Sequence, residues 1–501
     1  MTEKSIIIIG GGIAGLSAGC YARMNGFRTR IFEMHKKKPG GLCTGWKRQG
    51  YTVNGCIHWL IGSSPIDRYY RLWEELGAVQ GREFIYQEEY GRFESGGQHL
   101  IVYSNIDRLE AEMKRVSPED GAVIDEFIAA VRRCTRFSIP WEKAPEVSTL
   151  FDLLKLMLTQ FPALRLLSKW NKVSLKEYGT RFKSSLLRDA FPQLFMPDFP
   201  VSFVLVMLAW MHNRAAGYPL GGSLEFSRAI EKRFLALGGE VAYKSRVAKI
   251  LTESNQAVGV GLEDGSEHRA DYVISAADGH ATIFEMLEGR YVDNTVRGYY
   301  EKLIPFPPLM FLSLGVNRSF SDVAPSAGGI AIKLDQPISV GGVEQQYLTF
   351  QIYNFDPTLA PEGKTLVTAL IPTDYEYWSA LRPNDERYKA EKEKVADSVI
   401  AILDKRFPGL ASQLEMRDVA SPTTFVRYTG NWKGSFEGWQ VTPKTWNLGQ
   451  VMKKTLPGLE NFYMAGHWVE PGGGIPAAAM SGRNVIQILC KKERMKFAAL
   501  K

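Results

Sequence analysis

Apolar and polar positions follow two rhythms along this chain. Ser5-Ile6-Ile7-Ile8-Ile9 is an unbroken β-branched run, the pattern of a strand buried on both faces. Residues 16–25 then read as a helix closed by Gly26, and residues 29–32 as a second strand. From 65 to 214 the periodicity is largely helical, interrupted by strand-like pieces near 83–90 and 99–103. Two segments of this region are apolar nearly throughout, 151–168 and 199–211. The first carries Asp152, Lys155, Gln160, Pro162 and Arg165; the second runs for about thirteen residues, against the ~20 that a bilayer requires. Neither is expected to span a membrane. Both are expected to line a large core, the alternative being an apolar tunnel whose basic, amphipathic mouth lies on a membrane surface.

Beyond 214 the two rhythms alternate. Tyr218-Pro219-Leu220-Gly221-Gly222-Ser223 opens a helix that runs to about 237 and ends at Gly238-Gly239. Strands are expected at 241–244, 247–253 and 257–260, and Leu262-Glu263-Asp264-Gly265 is a hairpin turn signal. Residues 271–277 read as another central strand, and a mixed block follows from 281 to 440, with apolar runs at 309–316 and 365–371. Residues 461–464 read as a short buried strand and 476–489 as a helix beginning in proline. This order predicts an α/β fold: a Rossmann-type dinucleotide-binding domain assembled from discontinuous segments, with an inserted α+β substrate domain. The dinucleotide domain is expected from 1–75, 216–285 and 441–501, and the substrate domain from 76–215, helix-rich, and 286–440. A chain of 501 residues exceeds the usual single-core limit, which agrees with two domains.

The local chemistry says which ligand the first strand serves. It runs into Gly10-Gly11-Gly12-Ile13-Ala14-Gly15, which satisfies G-x-G-x-x-G, and the second strand ends on Glu33, eighteen positions after Gly15. Strand, turn, helix, strand and acid are the full context of a dinucleotide fingerprint. Gly10 permits the tight turn, Gly12 lets the pyrophosphate approach, Gly15 lets helix and strand pack, and Glu33 accepts from a ribose. Lys36-Lys37-Lys38 reads as a solvated loop, because Glu33 would repel a 2′-phosphate. A second glycine pair, in Pro39-Gly40-Gly41-Leu42, resembles the flavoprotein extension of this motif, so the dinucleotide is expected to be FAD. At the far end, Ala465-Gly466-His467-Trp468-Val469-Glu470-Pro471-Gly472-Gly473-Gly474-Ile475-Pro476 joins strand to helix. A helix end of that kind presents unpaired N–H groups to an anion or a developing negative charge.

Composition narrows the partners. Forty-five per cent hydrophobic and 23% charged residues are ordinary globular values, and a net charge of +7 is too mild for a dedicated nucleic-acid binder while allowing contact with anionic lipid. Five scattered cysteines, Cys20, Cys43, Cys56, Cys134 and Cys490, show no metal spacing and fit a reducing compartment. With no room for an apolar leader before Ser5, a cytoplasmic location is expected, with membrane contact as the alternative. Cys43 and Cys56 lie near the expected flavin; packing is the favoured role for them and redox activity the alternative. No metal site is expected.

Taken together these motifs resemble the phytoene desaturase, carotenoid isomerase and retinol saturase family of FAD-dependent oxidoreductases, within the broader amine-oxidase-like flavoproteins. The likeness spans the chain: the fingerprint, Gly40-Gly41, Gly55-Cys56-Ile57-His58-Trp59-Leu60-Ile61-Gly62, Tyr218-Pro219-x-Gly221-Gly222-Ser223, 271–277, Asp356-Pro357-Thr358-Leu359-Ala360-Pro361, Ser421-Pro422-Thr423-Thr424, and Ala465-Gly466 with Pro471 to Gly474. Asn54 departs from it, since family members often carry an acid there. The resemblance implies an extended FAD held by Gly10, Gly12, Ile13, Ala14, Gly15, Glu33, Gly40, Gly41, Leu42, Val247 (at the adenine), Ala276, Gly466, Gly473, Gly474 and Ile475. It implies hydride transfer between flavin N5 and an allylic or olefinic carbon of an apolar, isoprenoid or polyene-like molecule, with a proton exchanged at the neighbouring carbon. Desaturation, saturation and isomerisation are all open, as is the external electron donor or acceptor. His58, His467 and Glu470 are the candidate proton-transfer residues, and Trp59, Tyr428 and Trp468 the expected substrate lining. Two alternatives remain: an amine oxidase, and a non-redox prenyl-lipid carrier related to Rab GDP-dissociation inhibitors.

Overall fold

The computed structural model describes residues 3–138, 140–445 and 452–499; residues 446–451, inside the last expected dinucleotide piece, lie outside the described residues. Five parallel strands form the first sheet, in the order Glu240–Ala242, Arg28–Phe32, Ser5–Ile9, Tyr272–Ser275, Phe462–Met464. The isoleucine run occupies its centre, with Ile6, Ile7, Ile8 and Ile9 all buried, as a strand covered on both faces must be. Strands from three separated stretches of chain therefore complete one Rossmann-type sheet.

Two helices lock this sheet. Ile13–Met24 begins three residues earlier than the apolar pattern suggests, because the Gly12 turn already points the chain into the helix. The final helix, Gly474–Lys492, likewise takes in two residues ahead of Pro476. They cross closely: a Cβ on Gly482 would lie 2.3 Å from the Ala14 carbonyl oxygen, and Ser17 Oγ donates to the Ala479 carbonyl at 2.6 Å.

A second, seven-stranded sheet has the order Leu414–Ala420, Leu309–Val316, Thr365–Pro372, Val343–Ile352, Ile330–Val340, Glu89–Ser95, Gln98–Tyr103. Its last two strands come from the helix-rich stretch and its other five from the later block, joined where Ile330–Val340 runs parallel to Glu89–Ser95. The inserted α+β layer is thus built from both insertions.

The two apolar segments part company. Val201–His212 is a helix with Val201, Val204, Leu205, Met207 and Leu208 buried, as expected. Leu150–Trp170 is also a helix, started by a Thr149–Asp152 capping box, but it does not line the core. Leu150, Phe151, Leu154, Met157, Leu158 and Phe161 all stand exposed, Phe151 by 73% and Leu158 by 72%. Lys155 and Arg165 interrupt any face that could be buried, and only Ala163 and Trp170 are fully covered.

Candidate active site

A single cavity of about 1630 Å³ joins the Rossmann turn to the inserted layer. A ligand pocket is typically ~300–1,000 Å³, so this one has room for two occupants.

Its first end is the dinucleotide turn. Gly10, Gly12, Ile13, Ala14 and Glu33 line it, with Val247 and Ala276 from the neighbouring strands. Gly12 faces open space, its nearest obstacle to a Cβ being the Gly40 carbonyl at 4.0 Å. Gly15 points away from the cavity: a Cβ there would meet the Gly10 carbonyl oxygen at 2.0 Å, so its role is the close packing of turn and helix. Glu33 is buried, its two oxygens accepting from the N–H groups of Gly11 and His35, each at 2.6 Å, and burial raises its pKa. A cradle clear of side chains, with a fixed acceptor for a ribose, fits the pyrophosphate-ribose part of FAD.

The second end is the glycine turn before the final helix. Gly466, Gly472, Gly473, Gly474 and Ile475 line the cavity opposite Gly40, Gly41 and Leu42. Gly466 N–H donates to Ser481 Oγ at 2.8 Å, pinning the turn to the helix it precedes. Gly473 caps the helix with no side-chain bond, and Pro476 has no N–H to offer. This leaves the first-turn backbone dipoles for an electron-rich ring edge.

Of the proton-transfer candidates, two reach the cavity. His58 lines it, 3.5 Å from the Tyr353 hydroxyl, and burial lowers its pKa to about 4, so the ring is neutral at ordinary pH. His467 lines it too, with Nε2 2.6 Å from the Gly474 carbonyl oxygen. Glu470 is not among the lining residues. Lys454 holds it at 2.9 Å and Asn484 Nδ2 donates to it at 2.7 Å, while the same lysine reaches Glu146. The proline after it turns its side chain into an ion-paired cluster instead of the cavity. The lysine is buried, yet the two carboxylates outweigh desolvation and raise its pKa.

The substrate-lining candidates divide as well. Trp59 lines the cavity and packs between the Rossmann core and the helix-rich core. Trp468 lines it from within an aromatic cluster, 4.9 Å from Trp439 between ring centroids. Tyr428 is half exposed and lies 6.1 Å from the His35 ring, on the dinucleotide side rather than at the apolar end. That apolar end is walled by Leu156, Leu164 and Leu167 of the exposed helix and by Phe203 and Val206 of the buried one.

Two lining carboxylates have no sequence motif to announce them. Glu437 lies beside His467 and the Gly474 N–H; burial dominates and raises its pKa. Asp278 accepts from the N–H groups of Ala281 and Trp432, each at 2.8 Å, and burial lifts its pKa to about 6. Asn54 shows why an amide serves where an acid is usual. Its Oδ1 accepts from Ser223 N–H and Oγ, while its Nδ2 donates to the Ile57 carbonyl at 2.7 Å, which a carboxylate could not do. The bonds tie Tyr218-to-Ser223 to Gly55-to-Gly62 and so position His58.

Comparison with known proteins agrees with this layout. The family model described as flavin containing amine oxidoreductase matches residues 13–488. The chain is 30% identical to the chloroplastic prolycopene isomerase of Daucus carota, covering 96% of this chain and 79% of that one. It is 25% identical to the 4,4'-diapophytoene desaturase (4,4'-diapolycopene-forming) of a Methylomonas species, covering 99% and 96%. Among solved structures, an oxidoreductase from Methanosarcina mazei aligns with a TM-score of 0.59 at 17% identity, covering 96% and 100%. Cyclohexylamine oxidase from Brevibacterium oxydans IH-35A aligns with a TM-score of 0.61 at 13% identity, covering 98% and 100%; at that identity the likeness shows the shared fold.

Proposed function

Since the chain belongs to the flavin containing amine oxidoreductase family and is an FAD-dependent oxidoreductase, we propose that its substrate is a long, apolar polyene or isoprenoid, altered at a C–C or C=C bond. One observation carries this reading: the cavity that begins at the Rossmann turn continues past the flavin-ring turn into a channel walled by leucine, valine and phenylalanine. The relatives named for carotenoid isomerisation and desaturation support it.

FAD would be held at Gly10, Gly12, Ile13, Ala14 and Glu33, with Val247 at the adenine, Ala276 beside the turn, Gly15 packing beneath it, and Gly40, Gly41, Leu42, Gly466, Gly473, Gly474 and Ile475 around the ring. When bound it supplies hydride exchange at N5. The chain supplies the rest. The first-turn dipoles of the Gly474–Lys492 helix stabilise negative charge on the ring edge. Neutral His58 can accept a proton, Glu437 can hold one at neutral pH, and His467 is oriented by the Gly474 carbonyl. Glu470 serves through Lys454, by fixing the turn that carries His467 and Trp468. The FAD-binding pieces are taken as 1–75, 216–285 and 441–501.

Entry is proposed to be from lipid. The exposed helix borders the apolar end of the cavity and presents Leu, Met and Phe to its surroundings, with Lys143 and Lys169 near its ends. Among the described residues no helix is long and apolar enough to cross a membrane, so the protein would lie on a cytoplasmic membrane surface.

The test begins with the purified protein, which is expected to be yellow; Gly15→Val should abolish flavin retention. Titrating the oxidised holoenzyme with a carotenoid or retinoid should perturb the flavin spectrum, while aliphatic amines should not. Perturbation by amines alone would overturn the substrate class.

A further inference from the structure

We propose that Cys43 and Cys56 form a redox-active dithiol that closes reversibly to a disulfide, giving the cavity a two-electron couple beside the flavin-ring turn. The dithiol itself rests on the geometry below; its exchange of electrons with a flavin rests on the FAD reading above.

Backbone register brings the two together. Strands Gly45–Arg48 and Tyr51–Asn54 pair antiparallel with Gly45 opposite Asn54, and Gly55 N–H extends the ladder to the Thr44 carbonyl at 2.9 Å. The next facing pair along that ladder is Cys43 and Cys56. Directly opposed antiparallel residues have Cα atoms about 4.5–5.5 Å apart, inside the ~4.4–6.8 Å window of a disulfide. Both are free thiols here, and the Cys56 thiol is held against the Cys43 sulfur. No other cysteine faces a second one: Cys20 and Cys490 are buried in the Rossmann core, and Cys134 lines the cavity alone.

Location adds the function. Cys43 and Cys56 line the cavity between Gly40-Gly41 and the Gly55-to-Gly62 segment, and the Glu437 carboxyl, itself against Gly474, acts on Cys56. The Cys43 contact, burial and that carboxyl keep the Cys56 thiol protonated, so bulk reagents do not touch it, and oxidation requires an acceptor that enters the cavity. The chemistry balances simply. Two thiols lose two protons and two electrons and gain one S–S bond, and an oxidised flavin or a small diazene takes up both electrons with the protons it needs.

Diamide, a small neutral diazene, is the probe. Anaerobic treatment of the holoenzyme should lower the protein mass by about 2 Da. Titratable thiols in the denatured protein should fall from five to three, with one cross-link joining the peptides of Cys43 and Cys56. Cys56→Ser and Cys43→Ala should each abolish that change, and Cys134→Ser should not. Five surviving thiols, or a cross-link through another pair, would overturn the dithiol. For the flavin coupling, reductive titration of the diamide-treated holoenzyme should consume about four electrons per flavin, against about two in Cys56→Ser. Equal consumption in both would overturn the coupling while leaving the disulfide standing. A protein that retains no flavin overturns the coupling together with the FAD reading, and the mass change still judges the thiol pair.

Discussion

The helices Leu150–Trp170 and Val201–His212 start from similar apolar sequences and end in opposite surroundings, although both wall the same cavity. Val201–His212 has no charged side chain before its last residue, so every face can be covered, and the core closes around it. Leu150–Trp170 carries Asp152, Lys155, Arg165 and Lys169 among its leucines, so no face can be buried in protein without stranding a charge. An interface, by contrast, accepts apolar side chains and basic heads together. Hydrophobic content says that a segment leaves water; the placement of its charges says for what.

That contrast can be broken from either side. Leu205→Ala, in the fully buried helix, should cost about 2–5 kcal/mol in a denaturant melt. Replacing Phe151, Leu154 and Leu158 together by serine should weaken flotation with anionic vesicles by roughly 100-fold, because each large side chain contributes up to ~1.5–3 kcal/mol when taken from water. If binding were unchanged, the helix would have another partner.

His58 gives an intermediate case, on the wall between the two. Its folded pKa is lowered to about 4, so the neutral ring contributes stability that is whole above pH ~6.5 and lost as pH falls to about 4. Discounted for its exposure to the cavity, the loss should be about 1–2 kcal/mol, and His58→Gln should flatten the acid limb of a Tm-against-pH curve. The smallest effect belongs to Leu158→Ala, which should change stability by less than about 0.5 kcal/mol because that side chain is already in solvent.

What was legible in the sequence follows the range of the forces involved. The isoleucine strand, the glycine turns and Glu33 act within a few residues, and each occupies its expected place at the dinucleotide end. The order of segments also foretold a sheet assembled from separated pieces, since a parallel strand needs a crossover. Glu470 and Tyr428 were harder, because their partners Lys454 and His35 lie far off or on an unmarked loop. Glu437 stands in Ser435-Phe436-Glu437-Gly438, which has no pattern of its own and reaches the site only through the tertiary fold. Burial of the 150–170 helix was misjudged because composition was weighed ahead of charge spacing.

The central claim is that one cavity brings an apolar polyene to a flavin. The direct measurement is an anaerobic incubation of oxidised and of reduced holoenzyme with a carotenoid presented in vesicles, reading flavin redox state and polyene product together. The account predicts a polyene whose double-bond number or geometry changes, with any change in hydrogen count matched by the flavin. An unaltered polyene, with flavin reduction by amines instead, would contradict it.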